Sequence, residues 1–86
     1  AEVRQMLAEW EAMRVQALRT RDEWVPLAER RVEAALSAYR GGSGPLAPVL
    51  DARRAVLDAR LAQLGFELAA ARAWAWLAAL ATGAAS

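Results

Sequence analysis

The chain has 86 residues, a formal net charge of +1, and neither cysteine nor histidine. This length allows one small domain at most, and the missing side chains exclude disulfides, thiolate or imidazole metal sites and histidine-based catalysis. The balance of acidic and basic residues argues against an electrostatic nucleic-acid binder, which normally has a basic surplus. We therefore expect no enzyme activity, no cofactor, no metal site and no nucleic-acid partner.

The first arm, residues 2–40, is predicted to form one long helix, because it lacks glycine and its apolar residues recur every three or four positions. Both of its apolar seams keep a heptad spacing, which favours coiled-coil packing. Two seams on one helix suggest two neighbouring helices. The first seam contains Met6, Trp10, Met13, Ala17, Thr20, Trp24 and Leu27, and the second contains Leu18, Val25, Val32, Leu36 and Tyr39.

Pro26 lies inside this helix and predicts a local distortion. Proline lacks a backbone donor and clashes with the preceding turn, at a cost of about 3 kcal/mol in a regular helix. We expect a kink at residues 21–24, with the seams continuing in phase across it. The alternative is a true break that divides the arm into two helices.

Glycine and proline concentrate between the two arms, in Gly41-Gly42-Ser43-Gly44-Pro45. Glycine allows backbone angles that other residues adopt only at a cost, and proline cannot continue an incoming helix but can begin a new one. The sequence therefore predicts a tight turn, which we call the tip loop, at residues 40–46.

The second arm is predicted to be helical from about residue 46 to about residue 82, with Thr82 and Gly83 marking its end. Apolar residues occupy most of its sides, and a two-helix hairpin cannot cover such a surface alone. The most prominent heptad line contains Leu50, Arg54, Leu57, Leu61, Leu64 and Leu68, and adjacent lines contain Val49, Val56, Ala70 and Leu77 and also Ala52, Ala59, Phe66, Ala73 and Leu80.

Together these elements predict an all-α fold, a long antiparallel two-helix coiled-coil hairpin formed by residues 1–86. Folding the chain at Ser43 places residue i opposite residue 86 − i, so Trp10 is expected near Trp76. Each arm should span roughly 55–60 Å at a rise of about 1.5 Å per residue. The residues predicted to mediate helix packing are Trp10, Met13, Trp24, Leu36, Leu50, Leu57, Leu61, Leu64, Leu68 and Trp76.

A pair of aspartates in the second arm is interpreted as a surface feature and not as a catalytic site. Asp51 and Asp58 lie seven residues apart, but without a histidine, a cysteine or a third acid we expect a solvated face paired with Arg54 and nearby arginines.

The longest apolar run, residues 68–81, contains Arg72 and is shorter than the about 20 residues that span a bilayer. The chain is therefore not expected to cross a membrane by itself.

The turn also resembles a repeat of TolC-like outer-membrane efflux proteins, through Tyr39-x-x-Gly42 followed by Val49-Leu50-Asp51-Ala52-Arg53. In that family such a segment marks the periplasmic tip of a helical hairpin. The first arm is similar to the subgroup that serves heavy-metal efflux pumps, through Met6-Leu7-Ala8-Glu9-Trp10, Pro26-Leu27-Ala28-Glu29 and Glu33-Ala34-Ala35-Leu36-x-Ala38-Tyr39.

The resemblance implies that the chain is one hairpin of a larger trimeric outer-membrane channel, located in the periplasm and forming part of a helical tunnel wall. It further implies docking to a periplasmic adaptor protein, and through it an indirect link to an inner-membrane pump. The implied docking residues are Tyr39, Arg40, Gly41, Gly42, Ser43, Gly44, Pro45 and Leu46, and the candidate gating residues are Tyr39, Arg40 and Asp51. Gly44 and Pro48 replace charged residues of some relatives, which favours docking over gating.

The alternative hypothesis is a stand-alone helical hairpin that dimerises into a four-helix bundle and serves as a scaffold or regulatory module. Flanking sequence would discriminate between the two hypotheses. The sequence specifies neither an exported substrate, nor an oligomeric state for the chain alone, nor an open or closed state.

Overall fold

The computed structural model describes the backbone of residues 1–85 and the side chains of residues 1–83. Two antiparallel helical arms form a rod that measures 67 × 15 × 14 Å. The first arm consists of α1 (Glu2–Arg19), a π-helical turn (Thr20–Trp24) and α2 (Val25–Arg40), and the second arm is α3 (Ala47–Ala85). No strand occurs among the described residues, which confirms the predicted all-α hairpin.

The predicted end of the second helix is wrong by a few residues. Helix α3 continues through Thr82 and Gly83 to Ala85. The Thr82 hydroxyl donates to the Ala78 carbonyl at 2.9 Å, so this side chain bonds back to the preceding turn and does not cap the helix. At the other end, α2 ends at Arg40 and α3 begins at Ala47, which leaves residues 41–46 between the helices.

The distortion predicted at residues 21–24 is a π-helical turn, Thr20–Trp24, and the arm is not broken there. The Val25 N–H donates to the Thr20 carbonyl five residues earlier, where an α-helix would bond four residues back. Pro26 follows directly and has no N–H to donate, so the wider turn accommodates it without a regular α-helical bond. The Thr20 side chain is fully buried, and its hydroxyl donates to the Gln16 carbonyl at 2.7 Å.

The expectation that the seams stay in phase across Pro26 is wrong. The π turn inserts one extra residue, so the contact line passes from Thr20 to Val25 and excludes Trp24 and Leu27, which are 47% and 42% exposed. The contact line therefore follows the first predicted seam up to Thr20 and then takes Val25 and Val32 from the second, whereas Leu18 and Tyr39 of the second seam are exposed. The buried or half-buried members of the contact line are Met6, Trp10, Met13, Ala17, Thr20, Val25, Ala28, Val32 and Ala35.

Helix α3 contacts the first arm through a line of mostly small residues, the inner seam of α3. Its members recur in strict steps of three and four, as expected for a coiled-coil seam, and all of them are buried or half-buried. Alanine at these positions allows the helix axes to approach closely. The inner seam contains Val49, Ala52, Val56, Ala59, Gln63, Phe66, Ala70, Ala73 and Leu77.

The predicted residue pairing drifts along the rod. Glu29 forms an ion pair with Arg60 at 3.7 Å, three residues beyond the partner that the pairing rule assigns to it. Near the termini, the ring of Trp10 packs against Trp74 with 6.1 Å between centroids, whereas the rule gave Trp76. The extra residue in the π turn contributes to this drift, because the first arm uses one more residue than α3 over the same length.

The tip is closed by backbone hydrogen bonds in the geometry of a Schellman motif. Gly42 has a φ of 74°, the left-handed conformation that favours glycine. Its N–H donates to the Tyr39 carbonyl at 3.1 Å, and the Ser43 N–H donates to the Ala38 carbonyl at 3.0 Å. The N–H of Gly44 donates to the same Ala38 carbonyl, so three consecutive residues hold the end of α2.

Replacing each of two glycines by alanine should change the free energy of unfolding in opposite directions. Gly42→Ala should lower the free energy of unfolding by about 1–2 kcal/mol, because alanine is strained at positive φ. Gly65→Ala should raise it by up to about 1 kcal/mol, because this position is helical and a Cβ there meets nothing within 4 Å. Urea unfolding followed by circular dichroism measures both changes. Equal effects of the two substitutions would contradict the assigned backbone conformations.

The π turn predicts an unusual tolerance to deletion. Removing Trp24 in a Pro26→Ala background leaves an unbroken heptad line, so this variant should unfold at a urea concentration no lower than Pro26→Ala alone. Removing the exposed Ala12 in the same background should destabilise by at least about 2 kcal/mol, because Met6 and Trp10 leave the contact line. If both deletions are equally destabilising, the π turn is not a one-residue insertion.

Candidate functional site

The tip surface, residues 39–46, is a narrow and almost fully exposed end of the rod. Tyr39 and Leu46 are 44% and 46% exposed, and Gly44 is the only half-buried residue of the eight. A Cβ placed on Gly44 would lie 3.0 Å from the Cβ of Ala38, so a larger residue would push the loop away from α2. The end of the rod is therefore slender because its backbone packs directly on the helix.

The three candidate gating residues do not contact one another through a hydrogen bond or an ion pair. Tyr39, Arg40 and Asp51 are all exposed, and no ion pair within the described residues includes Arg40 or Asp51. The hairpin therefore contains no internal ionic lock at its tip. A gating role for these residues stays a prediction about contacts with other chains.

The residues predicted for helix packing divide into two groups. Trp10, Met13 and Leu36 are half-buried, and the first two lie on the contact line of the first arm. Helix α3 turns its leucine line away from the first arm, and we call this line the outer leucine face. It consists of Leu50, Leu57, Leu61, Leu64 and Leu68, which are 49–66% exposed.

Trp24 and Trp76 are also exposed, Trp24 because of the π turn. A packing role for the outer leucine face and these two tryptophans can only involve a helix outside this hairpin, and it stays a prediction. The leucine line was predicted to pack in preference to the inner seam because leucine is a larger and more apolar side chain than alanine. The alternation of alanine with valine, phenylalanine and leucine was the signal for a seam where two helices approach closely.

The end of the rod opposite the tip contains an aromatic cluster formed by both arms. Trp10 packs against Trp74 at a tilt of 40°, and the guanidinium of Arg14 lies 5.4 Å from the centre of the Trp10 ring. A cation above a tryptophan ring is attracted by the π electrons, and the contact covers part of the ring from water. This cluster therefore holds the two arms together near the termini.

Two of the three ion pairs of the described residues, Arg14 with Glu11 and Arg21 with Asp22, are local in sequence, and the third joins Glu29 of the first arm to Arg60 of α3. Arg21 donates to Asp22 at 2.8 Å, and this hydrogen bond holds the pKa of the Asp22 carboxyl below its ordinary value. The pairing of Asp51 and Asp58 with Arg54 that the sequence suggested is not formed: no ion pair of the described residues includes any of the three. In the part of the chain that the structure describes, no group of three acidic, histidine or cysteine residues could hold a metal.

Helix α3 is long and apolar enough, by length and composition alone, to cross a membrane. Within Ala47–Gly83, the most apolar window of 18 residues has a mean hydropathy of 1.2, and only 6% of this window is buried. This differs from the sequence expectation, because the hydropathy average tolerates the charges of Glu67 and Arg72. A single helix of this kind is weak evidence for a membrane span.

Comparison with known proteins agrees with this architecture. Residues 1–83 match the family model of the outer membrane efflux protein. No curated protein and no solved structure gives a significant match. Because the match extends over almost the whole chain, this helical hairpin belongs to the outer membrane efflux protein family, a family of channels associated with the outer membrane.

Proposed function

We propose that this hairpin forms part of the helical tunnel wall of an outer-membrane efflux channel and docks with its tip to a periplasmic adaptor protein. The observation that carries the proposal is the pair of apolar faces on α3. One face is the inner seam, which contacts the first arm, and the other is the outer leucine face, whose leucines are 49–66% exposed.

The angle between the inner seam and the outer leucine face fits a helix that has neighbours on both sides in a tunnel wall. At about 100° per residue, the centre of the inner seam and the centre of the outer leucine face are about 150° apart around the α3 axis. A helix with neighbours on nearly opposite sides fits a row of parallel rods that curves only slightly. A compact bundle would place the second face closer to the first. The trimeric assembly of family members would supply further hairpins for such a row.

The tip surface suits helix-end docking. It combines three glycines with the exposed side chains of Tyr39 and Leu46, and its backbone is held by α2 without any long charged side chain in residues 41–46. Small residues allow another hairpin tip to approach closely, and two apolar side chains supply area to bury. An adaptor that docks here would link the channel to an inner-membrane pump in a tripartite complex.

Heavy-metal export is the substrate class that we propose for this pump. Its support is the similarity of the first arm to the heavy-metal subgroup, in the segments around Trp10, Pro26 and Leu36. The described residues contain no metal-binding cluster. The hairpin would therefore act as a passive conduit and docking element in the periplasm, and selection of the metal would take place in another component.

A dimeric four-helix bundle is the second candidate function. It is favoured by the exposure of five leucines on one helix face, since a second hairpin would remove this area from water. Such a scaffold would need no adaptor, and it would leave the tip surface without a role.

The tip prediction separates these functions with a matched pair of substitutions in the full-length channel. Gly42→Arg should abolish export and cross-linking to the adaptor, because it adds a long cation to the docking surface. Gly42→Ala carries the same strain at positive φ, and a Cβ there meets nothing within 4 Å, so it should retain most of both.

Metal efflux and adaptor cross-linking in cells provide the measurements, with the amount of assembled channel as the control. Normal export and normal cross-linking by Gly42→Arg would show that this loop does not dock to the adaptor. Equal loss in both variants would attribute the effect to the backbone and not to docking.

A further inference from the structure

The outer leucine face contains a single charged residue in its heptad line. Arg54 occupies the position between Leu50 and Leu57, where the spacing calls for another apolar side chain. The flanking leucines are 59% and 62% exposed, so Arg54 occupies a position in the middle of an uncovered apolar strip. Any helix that covers this strip must also cover Arg54.

Arg54 has no partner of its own, although two carboxylates are within helical reach. Asp51 lies three residues before it and Asp58 four residues after it, both spacings at which ion pairs form on a helix. No ion pair or side-chain hydrogen bond among the described residues involves Arg54. Its five donors are therefore available to a group outside the hairpin.

Two copies of the outer leucine face match each other poorly. In a parallel pair with aligned leucines, Arg54 would lie opposite Arg54. In an antiparallel pair that overlaps all five leucines, Arg54 would lie opposite Leu64. Neither arrangement places a carboxylate opposite Arg54, and covering a cation without a facing carboxylate is unfavourable.

We propose that the outer leucine face binds a helix from outside this hairpin that has an apolar heptad line and one Asp or Glu at the level of Arg54. A carboxylate at this level accepts two parallel hydrogen bonds from the guanidinium and sets the register of the pair. Arg54 thereby selects this partner over a second copy of the same face. The proposal rests on the function proposed above, because a tunnel wall supplies neighbouring helices.

The first test measures self-association of the 86-residue chain by sedimentation equilibrium. Arg54→Leu completes the leucine line and should raise the self-association constant at least about tenfold over the parent chain. Arg53→Leu adds the same side chain at the neighbouring exposed position outside the line, and it should leave the constant within about twofold. Circular dichroism checks that both variants stay helical.

The result of this test does not depend on efflux, so it can fail while the proposed function stands. Equal association of the two variants would overturn the role of Arg54. Equally strong association of the parent chain and Arg54→Leu would identify a second copy as the occupant and also overturn it. Binding of the parent chain to phosphatidylcholine vesicles, detected by tryptophan fluorescence, would identify lipid as the occupant instead.

The second test identifies the carboxylate in the full-length channel. Arg54→Glu should reduce the amount of assembled trimer, because it places two carboxylates at one level of the wall. Suppressor mutations that restore the trimer should include Asp or Glu changed to Lys or Arg on a helix outside this hairpin. A normal trimer level in Arg54→Glu, or suppressors that include no such change, would contradict the proposed partner.

Discussion

The contact between the inner seam of α3 and the first arm is the interaction on which the rest of the hairpin depends. The buried residues of this contact have small or medium-sized side chains: Ala17, Thr20, Val25, Ala28, Val49 and Ala73. Small side chains bring the two helices close together, but they remove little apolar surface from water. Most large apolar side chains therefore remain outside the contact, available to other helices.

The π turn makes this single contact continuous along a 67 Å rod. Without it, Pro26 would disturb a regular helix, and the heptad line would continue through Trp24 and Leu27 toward Arg31. With one inserted residue, the line moves to Val25, and in this half its members are all apolar. The same insertion leaves Trp24 and Leu27 exposed beside the contact, so the two effects have one cause.

The two ends of the rod differ in function in the proposed channel. The two apolar faces of α3 differ as well. The tip surface is small and held by backbone bonds, whereas the opposite end is held by the contact of Trp10 with Trp74. The inner seam holds the hairpin together, and the outer leucine face is free for a neighbour. Arg54 gives that face a chemical preference, because a cation in an apolar strip requires a carboxylate on the helix that covers it.

Much of this fold follows from local sequence features. Heptad spacing predicts two long helices, the glycines and Pro45 predict the tip, and Pro26 predicts the position of the distortion. These predictions are confirmed because helix continuity and tight turns depend on residues close together in the chain. Membership in the efflux protein family also agrees with the motif around Tyr39 and Val49.

Only the tertiary structure decided which lines of α3 face the first arm and where the contact line changes phase. The leucine line and the inner seam have the same spacing, so periodicity cannot rank them. The choice depends on how closely two particular helices approach, and alanine permits a distance that leucine does not. The sequence alone determined two rods and a tip; packing decided which side of each rod is inside and left Arg54 on the outside.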